Sequence, residues 1–457
     1  MDSSNVRRIV RHFFPDTVPF TKTSLHNLEK KAPHSASFYF HHAWMELEES
    51  NRKAAAWLWC WRGLYHHPDN TSLLLFYSIL SYASGRETEA SLAFQKAENL
   101  DKTISSPFPL FEKKHPAGVT YPRVLQGTME IANQMNTIAK GLTQQGYIND
   151  TLNYYPTYLG YSSDYEWKIS KERSPVSPAL RRLAETLIPS YDMFHFHFGT
   201  SLTDTREDLA LLQQAEKSVL MHHWGSDARI LSEAEKTNPF AVVKVDREYA
   251  VKQNLETLGK TIPACIVADR EMYQYVYPFY SKVFIVPLMI DVDAYPPHVP
   301  DDEDKPLNIV HAPTSPAVKG TSYITAAVSR LQQKYNIDFQ LVQGVSHEDA
   351  KTIYQGADII IDQLHIGSYG LLAVEAMAMG KPVVCWISGF MRDAYPDDLP
   401  IVPANPETVE GRLEELIRRK DQLPHLGRQG RQFVEKYHDF RIHSGKILDI
   451  YRELSNP

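Results

Sequence analysis

The chain has little cysteine and lacks long hydrophobic runs. Its 457 residues include three cysteines, Cys60, Cys265 and Cys385, far apart and within apolar segments. That placement favours reduced core thiols over a disulfide or cysteine-based metal framework. No segment approaches the roughly 18 apolar residues that a membrane-spanning helix needs, and no apolar signal core follows the first residues. We therefore expect a soluble, cytoplasmic protein without a transmembrane segment.

Charge of one sign is also rarely clustered. The net charge is −7, and the main exception to the mixed pattern is the acidic run at residues 301–304. Such a balance excludes an electrostatic nucleic-acid binder. What the chain does have is 43% hydrophobic and 11% aromatic residues. At this length, that composition predicts two or three domains with substantial cores.

Residues 35–101 have the pattern of consecutive helices with an internal repeat. An offset of 34 residues aligns Ala56 with Ala90 and Gly63 with Ala97. Small residues at repeated positions let antiparallel helices pack closely, and the segment resembles a tetratricopeptide pair. Two such units are fewer than an independent solenoid needs. The segment is therefore either a structural cap or a platform for a protein partner.

The most informative segment runs from Gly367 to Cys385. It has the pattern of a glycine turn, a helix, a second glycine turn and a buried strand. Gly367 and Gly370 leave the first turn without side-chain bulk, and the helix from about Leu371 directs its positive end at that turn. Such an end binds phosphate, and Glu375 lies where a carboxylate can reach a ribose hydroxyl. The alternative is an ordinary helix and strand of an α/β domain without a nucleotide.

This segment resembles the nucleotide-sugar site of GT-B glycosyltransferases of the family 4, or group 1, type. That family has a Glu, seven residues and a second Glu, with a Gly-Phe-Gly-like turn between them. Tyr369 and Gly370 match the turn, Glu375 matches the second Glu, and Gly367 stands where the first Glu belongs. The resemblance implies that the amides of Gly370 and Leu371 contact the diphosphate and that Glu375 contacts the ribose.

A second loop carries the same resemblance. The strand at residues 307–311 leads into a loop where the family has an Arg followed by Lys-Gly, and both cations hold the diphosphate. Lys319 and Gly320 match the second part, whereas Thr314 takes the place of the Arg. The resemblance also puts a base-binding loop at Gly344. Without the family, Lys319 could equally be an exposed surface lysine.

Two apolar strands in the preceding part of the chain end in histidines. His195 and His197 alternate along one strand and point to the same side. We expect His197 at the ligand cleft, because doubly wound sheets bind ligands at their carboxyl edge, and His195 in the packing. Two histidines at this spacing could bind zinc, but neither Cys nor a carboxylate completes a set nearby. We expect no metal site.

The next strand ends at His222 and His223, followed by Gly-Ser-Asp. The family places a histidine after a comparable strand, beside the transferred sugar. The resemblance favours His223 for that role and His222 as second choice. Asp227 could orient an Arg or bind an acceptor hydroxyl, or it could simply cap the following segment. After an earlier strand the pattern predicts a turn at Gly127 and Thr128 and a helix from Ile131 to Gln145. Gly127, Thr128 and Asn133 are further candidates to face ligands.

Together these patterns predict an α/β protein of GT-B type. Two Rossmann-like domains would face each other across a cleft, with an all-α segment before them. The predicted boundaries are residues 1–115 for the helical segment, 116–295 for the acceptor-side domain, 296–440 for the nucleotide-sugar domain, and 441–457 for a helix returning to the first Rossmann-like domain. The resemblance covers residues 118–457.

The resemblance implies a hexosyltransferase of polysaccharide or glycoconjugate biosynthesis. It would use a nucleotide-sugar donor and a saccharide, protein or lipid-linked acceptor, retain anomeric configuration, and need neither a metal nor another cofactor. The departures at Gly367 and Thr314 keep a non-catalytic subunit open as an alternative, with its helical segment recruiting a partner. A nucleotide-sugar epimerase on the same fold is a third possibility.

Overall fold

The computed structural model describes residues 3–14, 25, 28–30, 32–108, 122–171, 176–298 and 305–455. The chain divides into two compact units. The first comprises Met1–Tyr121, Leu152–Tyr154 and Ser162–Arg182, and the second comprises Pro122–Thr151, Tyr155–Tyr161 and Leu183–Pro457. The acidic run at residues 301–304 falls outside the described residues.

The first unit is largely helical. Its helices are α1 (Ser3–Phe13), α2 (Ala36–Glu48), α3 (Lys53–His66), α4 (Thr71–Ala83) and α5 (Glu87–Leu100). Helices α2 to α5 confirm the helical pattern predicted over residues 35–101. The repeated small positions are buried, and a Cβ atom added at Gly63 would lie 2.7 Å from Tyr39 Cβ. The small residues therefore permit the close helix packing inferred from the repeat.

Among the described residues, strands form one seven-stranded and one five-stranded sheet. The first sheet contains β1 (Arg123–Thr128), β2 (Ile148–Asn153), β3 (Tyr165–Glu166), β4 (Met193–His197), β5 (Ser218–His222), β6 (Ala264–Val267) and β7 (Lys282–Ile285). Its order is β3-β2-β1-β4-β5-β6-β7, with parallel pairing from β1 through β4 to β7. The strand order therefore reverses between β1 and β4.

The second sheet is also parallel. It contains β8 (Leu307–His311), β9 (Ile337–Leu341), β10 (Ile359–Ile361), β11 (Val383–Cys385) and β12 (Val402–Pro403). The order is β12-β11-β10-β8-β9. Here the order reverses between β8 and β10. In doubly wound folds ligands bind at such a switch point, outside the carboxyl ends of the strands.

Helices connect the strands of both sheets. In chain order they are α6 (Gln134–Gln144), α7 (Ser177–Leu187), α8 (Asp208–Gln214), α9 (Leu231–Ala234), α10 (Glu248–Thr261), α11 (Arg270–Val276), α12 (Pro316–Lys319), α13 (Thr321–Leu331), α14 (His347–Gln355), α15 (Leu371–Ala378), α16 (Gly389–Arg392), α17 (Val409–Arg418), α18 (Leu423–Tyr437) and α19 (Phe440–Ser455). The architecture confirms the predicted pair of Rossmann-like domains and the helical segment before them. Within the described residues, no helix is both long and apolar enough to cross a membrane.

The structure bears on three further details of the sequence prediction. The helix expected from Ile131 begins at Gln134, because Ala132 and Asn133 adopt positive φ angles of 51° and 60°. The last helix, α19, packs on the first sheet, since its Phe440 shares a hydrophobic cluster with Val124 of β1. The three cysteines are free and buried, as predicted.

Candidate functional site

The switch point of the second sheet brings together the residues predicted to hold a diphosphate. Lys319 follows β8, and Gly370 precedes α15 in the segment after β10. A Cβ atom added at Gly370 would lie 3.2 Å from Lys319 Nζ. The lysine side chain is 17% exposed, so it is not a free surface residue. The predicted cation and the predicted helix terminus are therefore neighbours.

A buried carboxylate that the sequence analysis did not select organises this corner. Lys319 Nζ donates to Asp362 Oδ1 at 2.7 Å and to Gln363 Oε1 at 2.6 Å. The other oxygen of Asp362 accepts from the Gly370 amide at 2.6 Å. The Asp362 side chain is fully buried. Its sequence signal is an acid directly after the apolar run of β10, at the carboxyl edge where ligands bind.

Glu375 is buried on α15 and tied to residues from outside its helix. Its Oε1 accepts from Tyr295 Oη and His347 Nε2, both at 2.8 Å. Burial and the neighbouring Glu375 carboxylate raise the pKa of Tyr295, which keeps the phenol protonated as a donor. These partners hold the Glu375 carboxylate in one orientation. The structure thus positions Glu375 for a ligand contact without testing that role.

Three further donor-side residues differ in their surroundings. Gly344 has a φ of +70° and is exposed, with no atom within 4 Å of an added Cβ atom. Thr314 is exposed as well, whereas Gly320 is buried against Leu364. The loop at Gly344 therefore leaves open space, as a base-binding loop requires.

Tyr369 differs from what the turn motif suggested. Its ring stacks on Tyr395 at a centroid distance of 4.6 Å. Its hydroxyl donates to His438 Nε2 at 3.0 Å, since His438 Nδ1–H donates to a backbone carbonyl. Tyr369 is 8% exposed. The side chain therefore anchors the turn to the protein interior, and a ligand contact would be made by backbone atoms.

His223, the favoured catalytic candidate, is completely buried. Its Nδ1–H donates to Asp227 Oδ2 at 2.7 Å, and its Nε2 accepts from Tyr280 Oη at 2.9 Å. Asp227 also accepts from the backbone amides of Trp224 and Gly225. These bonds organise the loop and the imidazole, and a role for Asp227 at an arginine or an acceptor hydroxyl stays a prediction. A direct sugar contact by His223 would require breaking one of its bonds, so that role stays a prediction.

His197 is also buried, with both ring nitrogens bonded. Trp224 Nε1–H donates to its Nδ1 at 3.1 Å, which leaves the proton on Nε2 to bond Gln126 Oε1 at 3.1 Å. His197 was expected at the cleft and His195 in the packing. In the structure both side chains are fully buried, because their shared face of the sheet is covered by the cluster that includes α19.

His222 completes a group of three histidines that the sequence did not reveal. One ring nitrogen of His222 lies within 4.8 Å of one ring nitrogen each of His195 and His197. Only a Cys or a carboxylate was considered from the sequence as a third ligand. The third group is instead the imidazole of His222 from the adjacent strand. Within the described residues, neither nitrogen of His222 has a hydrogen-bond partner. Burial holds the pKa of His222 well below its usual value, so the ring is neutral.

The geometry of this group favours stacking over metal coordination. The rings of His195 and His222 are within 3° of parallel, and His222 stacks on Trp224 with a centroid separation of 3.7 Å. A nitrogen lone pair lies in its ring plane, so displaced parallel rings do not direct their lone pairs at one point. Nitrogens of a tetrahedral zinc site lie roughly 3.4 Å apart, as Zn–N bonds of about 2.1 Å require. That the protein has no metal site stays a prediction.

The switch point of the first sheet contains a residue missed by the sequence analysis. Glu130 follows β1, and its two oxygens accept from the Met135 and Asn136 amides of α6, both at 3.0 Å. Burial raises the pKa of Glu130 to about 8, against the opposing effect of these bonds. Its signal was an acid four residues before a helix. The helix was predicted from Ile131 but begins at Gln134, so the bonds from Glu130 to its first turn were not anticipated.

The candidate residues Gly127 and Thr128 lie at the end of β1 and are buried. Thr128 Oγ1 lies within hydrogen-bond distance of Thr200 Oγ1 and donates to Ser201 O. The Thr128 amide also donates to Thr200 Oγ1 at 3.2 Å. These bonds join the ends of β1 and β4. Asn133 is partly exposed at the start of α6, so of these three candidates it has the most accessible side chain.

Comparisons with known proteins match part of the chain to one family. Residues 317–433 match the family described as "Glycosyl transferases group 1". The chain is 31% identical over 109 residues to the D-inositol 3-phosphate glycosyltransferase of Saccharomonospora viridis, covering 23% of this chain and 25% of that protein. It is 23% identical over 203 residues to the MMP alpha-(1->4)-mannosyltransferase of Mycolicibacterium hassiacum, covering 38% and 49% of the two chains.

The chain spans between about a quarter and a half of the length of the curated relatives it matches. Among solved structures, Anabaena Alr3699/HepE in complex with UDP-glucose has a similar fold, with a TM-score of 0.52 and 11% identity. The match covers 73% of this chain and 100% of that one. The matched family segment contains Lys319, Asp362, Gly370 and Glu375. Residues 317–433 are thus similar to the glycosyl transferases group 1 family, and the chain as a whole has a GT-B fold.

Proposed function

We propose that this protein is a hexosyltransferase. It moves a sugar from a nucleotide-sugar donor to a hydroxyl of a saccharide, a protein or a lipid-linked acceptor, with retention of configuration and without a metal. One observation carries the proposal. Lys319 lies against the start of α15, at the switch point of the second sheet, inside the group 1 segment. A cation beside a helix N-terminus at such a crevice suits a diphosphate.

The chemistry of Lys319 supports this assignment. An ammonium group has three N–H donors, and Asp362 and Gln363 accept two of them. The third donor would bond a phosphate oxygen. The Leu371 amide and the helix dipole would add to the stabilisation, whereas the Gly370 amide already donates to Asp362. This modifies the expectation from the family, in which the Gly370 amide itself contacts phosphate.

In the proposed reaction the bond between the sugar C1 and the diphosphate oxygen breaks, and its electron pair stays on the phosphate. The acceptor oxygen forms the new bond to C1 on the same face, and the hydroxyl proton is released. The transition state resembles an oxocarbenium ion. Negative charge develops on the departing diphosphate, beside Lys319. Charge stabilisation in place before the reaction is the largest contribution of such a site.

The compared proteins support the choice of donor class. The Anabaena structure contains UDP-glucose, and one curated relative is named a mannosyltransferase. A uridine diphosphate sugar is therefore the first donor to test on this chain, and guanosine, thymidine and cytidine diphosphate sugars follow. The acceptor would meet the first Rossmann-like domain. A protein partner at helices α1–α5 is a separate proposal, based on their resemblance to tetratricopeptide repeats.

A non-catalytic subunit is the second candidate function. It is favoured by Asp362, which already neutralises Lys319, together with the missing cation at Thr314 and the missing carboxylate at Gly367. A thermal-shift screen of the four classes of nucleotide-sugar separates the two candidates. Stabilisation by one class, followed by acceptor-dependent transfer of labelled sugar, supports the hexosyltransferase. Failure of all four to stabilise the folded protein favours the subunit.

Acceptor-independent loss of the sugar would point elsewhere. Release of free sugar and nucleoside diphosphate would identify hydrolysis, and a change in the sugar's configuration while it stays bound to the nucleotide would identify epimerisation. Both outcomes contradict the transferase proposal even when binding is observed. The assay therefore follows donor, free sugar and glycosylated product separately.

A further inference from the structure

The space beside Gly367 is occupied by a residue from the other Rossmann-like domain. An added Cβ atom at Gly367 would lie 3.1 Å from Asn238 Nδ2 and 3.0 Å from Ser388 Cβ. Gly367 has a φ of +83°. Both the backbone angle and the contacts therefore disfavour any side chain at this position. The position where related enzymes carry a Glu is adapted here to the approach of Asn238.

Asn238 is bound to the second domain at both ends of its amide. Its Nδ2 donates to His365 O at 2.7 Å, and its Oδ1 accepts from Trp386 Nε1 at 2.9 Å. Asn238 is 4% exposed. A buried amide with both ends bonded has a defined orientation. These are contacts between the domains, since Asn238 follows α9 of the first domain.

Two neighbouring contacts extend the interface. His365 Nδ1–H donates to Phe240 O at 2.8 Å, and the Phe240 ring packs edge-on against Trp386 with centroids 5.4 Å apart. We call Asn238, Phe240, His365 and Trp386 the Asn238 clasp. It joins the first domain to the loop that precedes α15.

The clasped loop is also the loop that holds Lys319. The Leu364 amide donates to Lys319 O at 3.1 Å, and Gln363 accepts from Lys319 Nζ. Gln363 Nε2 also donates to Ser368 O. The hydrogen bond from Asn238 therefore reaches a segment whose immediate neighbours set the position of Lys319.

We propose that Asn238 is a positioning residue that takes over the structural place of the carboxylate missing at Gly367, holding the loop before α15 and, through it, Lys319. Its consequence for a nucleotide rests on the proposed function, but the clasp itself does not. An Asn from the first domain thus replaces a side chain from the second. The donor loop reaches its full order only when the two domains are in contact.

Hydrogen exchange tests the clasp without any ligand. The amides of Leu364 and Ser388 donate to Lys319 O and Gly367 O, so they report the order of the loop. In Asn238→Ala we expect these amides to exchange roughly ten-fold faster, the effect of losing about one to two buried hydrogen bonds. Trp386→Phe, which removes only one donor, should produce a smaller change in the same amides.

Asn308→Ala is the matched control. Its side chain donates to Gly356 O at 2.8 Å, within the second domain and away from the clasp. This variant should leave exchange at Leu364 and Ser388 unchanged. If Asn238→Ala leaves both amides as protected as in the parent protein, or if Asn308→Ala exposes them equally, the positioning role is wrong.

A double-mutant cycle tests the relation between Asn238 and Gly367. Gly367→Ala introduces a strained φ in any background, so that cost cancels in the cycle. The contact between the added Cβ atom and Asn238 Nδ2 exists only when Asn238 is present, so it accounts for the difference between the two backgrounds. We expect Gly367→Ala to raise the unfolding equilibrium constant by about five-fold less in the Asn238→Ala background than in the parent protein. Additive effects of the two substitutions would overturn the proposed replacement.

UDP binding separates this inference from the proposed function. If the parent protein binds UDP, we expect the dissociation constant for UDP to be roughly ten-fold larger in Asn238→Ala. Asn308→Ala should leave it unchanged. Unchanged UDP affinity together with faster exchange would reject the effect on Lys319. If the parent protein binds neither UDP nor another nucleotide, the proposed function fails, while the exchange and cycle results still decide the clasp.

Discussion

The two switch points hold the same kind of group in different chemical settings. Each has a buried carboxyl group bonded to backbone amides at the start of a helix, Glu130 at α6 and Asp362 at α15. Asp362 is paired with Lys319, whereas burial raises the pKa of Glu130 to about 8. Glu130 is therefore mostly uncharged at neutral pH, whereas Asp362 is part of an ion pair.

This difference indicates which domain suits a diphosphate. At the first switch point, Glu130 already occupies the amides that an anion would bind. At the second, the cation lies beside the helix terminus, and one ammonium proton would remain for a phosphate oxygen. The two Rossmann-like domains thus have similar folds, but the crevices at their switch points differ in charge, because the second contains a cation beside the helix terminus.

The largest effect is expected at Lys319. Lys319→Ala leaves the fully buried Asp362 carboxylate without its cation, and we expect the free energy of unfolding to fall by about 3–5 kcal/mol. Denaturant titration measures this loss, and calorimetry with UDP measures binding. Nucleoside diphosphate affinity should fall as well.

The double variant Lys319→Ala/Asp362→Asn separates the two roles of Lys319. Removing both charges should restore most of the stability but not the UDP affinity. Recovery of both would show that Lys319 is structural only. Parent-like product inhibition in Lys319→Ala would also contradict the phosphate role.

Glu375 should have the next largest effect on nucleotide affinity. Glu375→Gln keeps an oxygen acceptor for Tyr295 and His347, and Glu375→Ala does not. We expect nucleotide-sugar affinity to weaken by about 1–3 kcal/mol in the folded Ala variant. Glu348→Ala, at an exposed position on α14, is the control and should bind normally. Unchanged calorimetric affinity in Glu375→Ala would remove Glu375 from the site.

The pH dependence of stability tests Glu130. Its pKa is raised on folding from an ordinary value of 4.5 to about 8. The folded state therefore binds the proton more tightly, and the stabilisation is present below pH 4.5 and lost as the pH rises towards 8. Glu130→Gln should remove about 3 kcal/mol of this decline between pH 5 and pH 8.

Urea titrations at several pH values measure that slope. Glu256→Gln, at an exposed position of α10, should leave it unchanged. Parallel curves for Glu130→Gln and the parent protein would mean that Glu130 is ionised at neutral pH. The contrast between the two switch points would then be lost.

The smallest stability effect is expected at His222. Because both of its nitrogens are without a partner within the described residues, His222→Leu should change the free energy of unfolding by less than about 1 kcal/mol. His223→Ala breaks two bonds and should be more destabilising. Once a transfer assay exists, His223→Ala should lower turnover more than nucleotide affinity.

His197→Ala completes this comparison. All three variants are measured in folded protein at saturating donor and acceptor. A large loss of turnover at His222 or His197, with normal turnover for His223→Ala, would transfer the catalytic role to that residue. Normal turnover in all three would leave the first domain without a histidine in catalysis.

Local patterns predicted the fold well. Two regions were recognisable because the spacing of their apolar residues matched the period of the helix or strand that they form. They are the helices of residues 35–101 and the segment from Gly367 to Cys385. The start of α6 was predicted three residues too early, because Ala132 and Asn133 adopt positive φ angles. Such angles are usually found at glycine, and this turn has none at those positions. The direction of the histidines was also beyond local reasoning. Alternation assigned a common face to His195 and His197 but could not show what covers it.

The amino-acid sequence alone predicts the two Rossmann-like patterns, the glycine turn before α15, Lys319 after β8 and Glu375 inside α15. Those features depend on neighbours within a few residues, where periodicity and turn chemistry act. The three-dimensional fold is needed to show that Asp362 pairs with Lys319, that His222 lies beside two histidines of another strand, and that Asn238 fills the space at Gly367. These pairs are separated by 25 to 129 residues, and no local rule constrains which distant side chain enters a buried space.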